Sequence, residues 1–172
     1  MDMMKNDMTE FLSPEQVAGL VDKVAKQIQR DHEGQELVLI CPLKGSCLFA
    51  ADLSRRLELP VVMDFVLANP TEKGGAVRMT KDISVNITGR NVLIVEEIID
   101  SGRTLSALKS RLLLAKPRSC RIVTLLDKPA RRDIPLQADY IGMTVDDRYL
   151  VGYGMDSEEL GRNYAGIYYF KQ

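Results

Sequence analysis

The sequence predicts an α/β fold: a single domain with a parallel, twisted sheet flanked by helices and a small hood formed by the terminal segments. Two observations carry the sheet. Short apolar runs recur at residues 37–41, 92–95 and 122–126, and strands without polar alternation are strands buried on both faces. Between them lie stretches with apolar residues three and four apart, the period of a helix with one covered face. A third observation sets the scale. The chain has 172 residues, 45% hydrophobic and 27% charged, the size and balance of one ordinary domain, expected to span residues 1–172.

Taken in order, residues 1–12 are polar and Met-rich and read as a loosely ordered leader. Ser13-Pro14-Glu15-Gln16 announces a helix, with Ser13 as cap, Pro14 at the first helical position and Gln16 as capping-box partner. Val17, Leu20, Val21, Val24, Ala25 and Ile28 form its apolar stripe. His32, the only histidine, falls at a polar helix end and reads as a solvated cap residue. The first strand covers 37–41, a helix about 47–57, and a second strand 61–67. Residues 68–82 are polar and contain glycines, the composition of a mobile loop or weak hairpin. A third strand at 92–95, a helix over 105–115, and strands at 122–126, 140–143 and 150–152 complete the pattern. Residues 167–170 are a candidate final strand.

Composition excludes several classes of function. The longest uncharged apolar runs are five or six residues, against the ~20 that cross a bilayer, so no membrane association is expected. The N-terminal MDMMKNDMTEF has no apolar core and does not read as a secretory signal, which points to the cytoplasm. Three cysteines without CxxC spacing, all among apolar neighbours, read as reduced thiols packed in the interior. With 23 basic and 24 acidic side chains, the chain lacks the basic excess of a nucleic-acid binder. The Asn86-Ile87-Thr88 sequon has no meaning in that compartment.

In doubly wound α/β folds, ligands bind beyond the carboxyl ends of the strands. The richest segment there is Asn91 to Leu105, NVLIVEEIIDSGRTL. A buried strand runs into adjacent carboxylates, Glu96 and Glu97, which are costly there unless a cation or sugar hydroxyls accept them. The following turn, from Asp100 through Ser101, Gly102 and Arg103 to Thr104, offers backbone N–H groups, hydroxyls and a helix start, the parts of a phosphate cradle. The plainer alternative is that Ser101 or Thr104 caps the helix and the glutamates are solvated. Neither GxxxxGK[ST] nor a GxGxxG after a strand is present, which argues against a Walker loop or a dinucleotide site.

VLIVEEIIDSGRTL resembles the phosphoribosyl-diphosphate (PRPP) signature of the type I phosphoribosyltransferases. Pro42-Leu43-Lys44-Gly45-Ser46 resembles the pyrophosphate loop of the family's hypoxanthine–guanine branch. Leu125-Leu126-Asp127-Lys128 and the segment from Asp147 to Asp156, DRYLVGYGMD, resemble its purine-binding segments. The likeness runs from about Leu37 onward, with the motifs in the expected order. It implies transfer of ribose 5-phosphate from PRPP to a 6-oxopurine, hypoxanthine or guanine, with Mg²⁺ as cofactor.

By that resemblance Asp100 is the general acid/base at purine N7. Glu96 and Glu97 meet the ribose hydroxyls, directly or through Mg²⁺, and Asp156 is a further Mg²⁺ carboxylate. Ser101, Gly102, Arg103 and Thr104 hold the 5′-phosphate. Lys44 and Gly45, in a loop expected to contain a non-prolyl cis peptide at 44–45, meet the diphosphate together with Arg162. Lys128 donates to O6, Ile98 and Tyr149 sandwich the base, and the backbone around Leu150 reads its edge. For Lys44 and Arg162 the plainer alternative is a solvated surface charge, and for Ile98 and Tyr149 core packing.

Three positions depart from the branch's pattern. Glu97 stands where aspartate is usual, residues 68–75 lack the Ser-Tyr pair of the closing loop, and Asp146-Asp147 replaces Pro-Asp. Xanthine as the preferred base, and a regulatory protein binding PRPP or nucleotide on the same fold, are the rival expectations. A homodimer or homotetramer is the assembly that the resemblance implies.

Overall fold

The protein is described here by a computed structural model over residues 7–70 and 77–171. The first six residues of the expected leader, and positions 71–75 of the expected closing loop, lie outside those residues.

Two sheets make up the fold. The larger has six strands, β2 (Leu37–Pro42), β3 (Val61–Pro70), β4 (Val77–Lys81), β5 (Asn91–Ile99), β6 (Ser119–Asp127) and β7 (Tyr140–Thr144), in the order β4-β3-β2-β5-β6-β7. Every neighbouring pair is parallel except β3–β4. The expected parallel sheet is therefore mixed, because the segment read as a loop or weak hairpin folds back on β3 as an antiparallel edge strand. The smaller sheet, β1 (Met8–Leu12), β8 (Leu150–Val151) and β9 (Ile167–Phe170), is antiparallel in the order β1-β9-β8. It is the hood, and within the expected loose leader over 1–12 it orders residues 8–12. Met8 and Leu12 are buried at the two ends of β1, a pairing that the polar residues between them obscured.

Helix α1 (Pro14–Asp31) begins as its sequence dictates. Ser13 Oγ accepts the Gln16 N–H at 3.3 Å, and Gln16 Oε1 accepts the Ser13 N–H at 2.8 Å, closing the capping box. Helix α2 (Cys47–Ser54) is shorter than expected, and α3 spans Arg103–Leu113. Side chains alternate faces along a strand, which explains the unbroken apolar runs. Leu37, Leu39 and Cys41 face α1 and α2 together with Leu93, Val95, Val123 and Leu125. Val38 and Ile40 face the other way, with Val92, Ile94 and Ile122, against Leu105, Leu108 and Leu112 of α3.

Two further expectations need correction. His32 does end α1, its N–H bonded to the Ile28 carbonyl at 3.0 Å, but it is buried rather than solvated, and neither ring nitrogen has a hydrogen-bond partner. Burial, aided by the nearby Arg121 charge, lowers its pKa. All three cysteines are free, but only Cys41 is buried in the core, whereas Cys47 is exposed at the start of α2.

One buried charge, Asp64 of β3, fastens the β3–β4 hairpin to the loop that leads on to β5. It accepts the N–H groups of Phe65, Ser84 and Val85, the Ser84 hydroxyl and the Lys81 ammonium. Burial alone would raise its pKa, but these donors outweigh burial and hold the carboxyl well below the usual carboxylate range. The stability it contributes is therefore complete above the unfolded-state value of about 4 and is lost as pH falls toward the folded-state value. Asp64→Ala should cost about 2–4 kcal/mol at pH 7, with the gap to the parent narrowing at pH 3, read by urea unfolding at both pH values.

Candidate active site

Strand order locates the site. β2 and β5 are neighbours, yet the chain leaves β2 toward β3 on one side and β5 toward β6 on the other. This is a topological switch point, where the loops beyond two adjacent strands diverge and open a crevice. Lys44 and Gly45 line the resulting cavity from the loop after β2, and Glu96, Glu97 and Ile98 from the end of β5. Residues 100–104 line it from the turn into α3, and Arg162 reaches it from the hood. The resemblance assigned every one of these residues to the site.

The two glutamates are crowded. Burial first, and then the neighbouring Glu97 carboxyl, raises the pKa of Glu96. Burial also raises that of Glu97, outweighing hydrogen bonds and the Arg162 charge that pull it down, and Glu97 Oε2 is buried without a hydrogen-bond partner. The expected alternative of solvated glutamates does not hold. Gly45 makes room for the pair, since a Cβ built at Gly45 would lie 1.7 Å from Glu97 Oε1. The loop does contain a non-prolyl cis peptide, but it joins Leu43 to Lys44, one bond before the expected 44–45. Gly154 (φ +98°) of the hood packs on the same loop so closely that a Cβ there would lie 2.0 Å from the Gly45 carbonyl oxygen.

At the start of α3 the N-cap is Gly102, and no side chain caps the helix. Ser101 Oγ is a long 3.4 Å from the Arg103 N–H. The capping alternative for Ser101 and Thr104 therefore fails, and the first-turn N–H groups, which have no partners inside a helix, belong to residues that line the cavity. Arg103 pairs with Asp133 at 2.7 Å.

Register brings the β6 loop to the same place. Ile99 lies opposite Asp127, and the Lys128 N–H donates to the Ile99 carbonyl at 3.0 Å. Lys128 is buried, and its ammonium donates to the Arg148 carbonyl. Arg148 stacks on Tyr169 and Phe11, its guanidinium carbon 5.1 and 5.9 Å from their ring centroids, so the hood strands hold the carbonyl that Lys128 uses. Tyr149 is 60% exposed, which rules out core packing. Its hydroxyl donates to the Asp156 carbonyl at 3.0 Å. Leu150 is buried, leaving only its backbone for recognition. Lys128, Tyr149, Leu150 and Asp156 stand outside the lining of the cavity itself.

Asp156 and Arg162 form an ion pair at 2.8 Å. Lys44 and Arg162 both reach Glu159 Oε2, at 2.8 and 3.4 Å, so both cations are paired, although Lys44 remains exposed to solvent while Arg162 is half-buried. Among the described residues no group of three or more His, Cys, Asp or Glu side chains forms a metal cage.

Sequence reasoning missed the segment after Lys128. Arg131 donates to Asp100 Oδ1 at 3.1 Å and lies 3.6 Å from Asp147. Arg132 pairs with Asp127 and underlies Gly102, whose Cβ would meet the Arg132 side chain at 3.2 Å. The Asp133 N–H donates to the Ser101 carbonyl at 3.1 Å. The signal was the Arg131-Arg132-Asp133 run itself, a charged triplet directly after a candidate site lysine.

A six-stranded α/β sheet with crowded carboxylates and an uncapped helix start at its switch point defines a sugar-phosphate-binding fold. A family model for the phosphoribosyl transferase domain matches residues 7–158, and the chain belongs to that family. It is 38% identical over 165 residues to the hypoxanthine-guanine phosphoribosyltransferase of Staphylococcus aureus, covering 93% of this chain and 92% of that one. A crystal structure of a hypoxanthine-guanine phosphoribosyltransferase from Bacillus anthracis superposes with a TM-score of 0.91 at 47% identity, covering 95% and 97% of the two chains. The bifunctional protein TilS/HprT of Listeria innocua is 38% identical over 173 residues, and the chain spans 27% of that relative's length. No helix among the described residues is long and apolar enough to cross a membrane.

Proposed function

We propose that the protein is a purine-salvage phosphoribosyltransferase, transferring ribose 5-phosphate from PRPP to N9 of hypoxanthine, guanine or both, with release of pyrophosphate. The observation that carries this reading is the convergence on one cavity of the crowded Glu96–Glu97 pair, the uncapped start of α3 and the Lys44 and Arg162 cations. These are the groups that a ribose, a 5′-phosphate and a diphosphate each require. The names of the relatives point to the same chemistry.

The reaction breaks the bond from the anomeric carbon to diphosphate and makes one to N9, through a ribose with cation-like character. Backbone N–H groups of residues 101–104 hold the 5′-phosphate, with the Ser101 and Thr104 hydroxyls beside them. Glu96 and Glu97 accept the ribose hydroxyls, and their charge favours positive character on the ring. Lys44 and Arg162 hold the departing diphosphate. As N9 attacks, Asp100 takes the proton from N7.

Lys128 has three donor hydrogens, of which Arg148 occupies one, and donates to purine O6. An amino group at that position would set donor against donor. Tyr149 and Ile98 flank the base, and the Leu150 backbone reads its edge. The donor set also fits Mg²⁺, which takes one or two carboxylates together with substrate oxygens, and Glu97 Oε2 is an unsatisfied buried oxygen. Glu96 with Glu97, or Asp156, would supply those one or two carboxylates, and the ion when bound would neutralise diphosphate charge. Three free thiols suit a cytoplasmic protein, and a homodimer or homotetramer completes the reading.

The test is turnover of hypoxanthine, guanine, xanthine and adenine, each with PRPP and Mg²⁺. Hypoxanthine or guanine should be used and adenine refused. Rapid use of adenine would overturn the role of Lys128, and xanthine alone would move the assignment to that base. PRPP binding without turnover of any base would favour a regulatory protein.

A further inference from the structure

The Glu159 carboxylate lies outside the lining of the cavity but pairs with both cations assigned to the diphosphate. Its Oε2 accepts from Lys44 Nζ at 2.8 Å and lies 3.4 Å from Arg162. Those two cations come from opposite parts of the molecule, the loop after β2 and the hood, and both line the cavity. Glu159 is the group that joins them.

The turn that carries this carboxylate is built rather than loose. Glu158 and Glu159 both have positive φ, +51° and +68°, a conformation that residues with a Cβ adopt at a cost unless their surroundings enforce it. Ser157 and Leu160 close the turn with reciprocal backbone hydrogen bonds of 3.0 Å. The Glu159 N–H donates to Asp156 Oδ2 at 2.9 Å. The backbone thus aims the carboxylate at the cation pair.

We propose that Glu159 is an internal counter-ion, occupying the Lys44–Arg162 pair in the empty site and displaced when a diphosphate enters. It lowers affinity for pyrophosphate and PRPP and eases release of the product. This inference rests on the reading of Lys44 and Arg162 as the diphosphate cations. A diphosphate carries several negative charges against one for Glu159, so displacement is favourable. The side chains of Lys44 and Glu159 are 61% and 64% exposed, so solvent screens the pair and its displacement costs little. A strong internal pair would block the site, whereas a weak one keeps two cations from repelling each other and yields to substrate.

The experiment measures binding of inorganic pyrophosphate, with Mg²⁺ present, to the full chain by calorimetry, alongside the KM for PRPP and for the base. Glu159→Gln keeps size and hydrogen bonding while removing charge. It should tighten pyrophosphate binding roughly two- to fivefold, lower the KM for PRPP in parallel, leave the KM for the base unchanged, and show less advantage at high salt. Lys44→Ala in the same assay separates the two claims. If Lys44→Ala weakens pyrophosphate binding while Glu159→Gln leaves it unchanged or weaker, Glu159 merely positions the cations and the proposal is overturned. If Lys44→Ala has no effect, the assignment of Lys44 to diphosphate falls, and the counter-ion falls with it. Thermal melts of both variants report folding separately.

Discussion

With Asp100→Asn, kcat for nucleotide formation should fall about 10²- to 10³-fold, the range that a positioned proton acceptor contributes, while PRPP binding changes little. The substitution keeps the shape of the side chain and an oxygen for Arg131, which donates to Asp100 at 3.1 Å. What it removes is the capacity to take a proton. Asp100 lines the cavity at the mouth of the turn into α3, and Lys128 follows the neighbouring end of β6. Steady-state kinetics with PRPP and base varied separately read the two parameters apart. An equal loss in kcat and in PRPP affinity would show that Asp100 shapes the phosphate turn instead of handling a proton.

A second large effect is expected from Gly45→Ala. The added methyl group would overlap the Glu97 carboxylate, 1.7 Å from Oε1 and 2.4 Å from Cδ. The colliding atoms are the far end of a side chain, which can swing aside, so the fold should survive with its melting temperature shifted by only a few degrees. The site should not survive. Displacing Glu97 breaks the carboxylate pair, and kcat/KM for PRPP should drop about 100-fold, the loss that accompanies misplacement of a positioning group by about 1 Å. Circular dichroism melts beside the kinetics separate the two consequences. A variant that melts early would place the damage in the fold.

The sheet was largely legible because its central strands are buried on both faces, so β2, β5 and β6 appear as continuous apolar runs whatever their neighbours. The edges were not. β1 and β4 each have a polar side and acquire their conformation only by pairing with β9 and β3, which local sequence does not encode. His32 illustrates the same limit, since it is buried by tertiary packing that its polar neighbours in sequence do not announce. In the site, the segment from Glu96 to Thr104 could be read because carboxylates directly after a buried strand demand an explanation. Arg131 and Glu159 could not. Their roles come from ion pairs that span 31 and 115 positions, and a charged residue in a polar loop carries no mark of its distant partner.

The hood pairs strands from nearly opposite ends of the described chain. β9 lies between β1 and β8, so neither neighbour can join that sheet until residues 167–170 are available. During synthesis the six-stranded sheet, with the crevice at its switch point, can assemble while β1 still waits for a partner. A nascent chain would thus acquire the elements assigned to sugar phosphate before it can hold Arg148 between Phe11 and Tyr169. The half of the site assigned to the base matures last, and a ribosome stalled shortly before β9 would display a chain whose sheet is folded and whose Lys128 has no hood to anchor it.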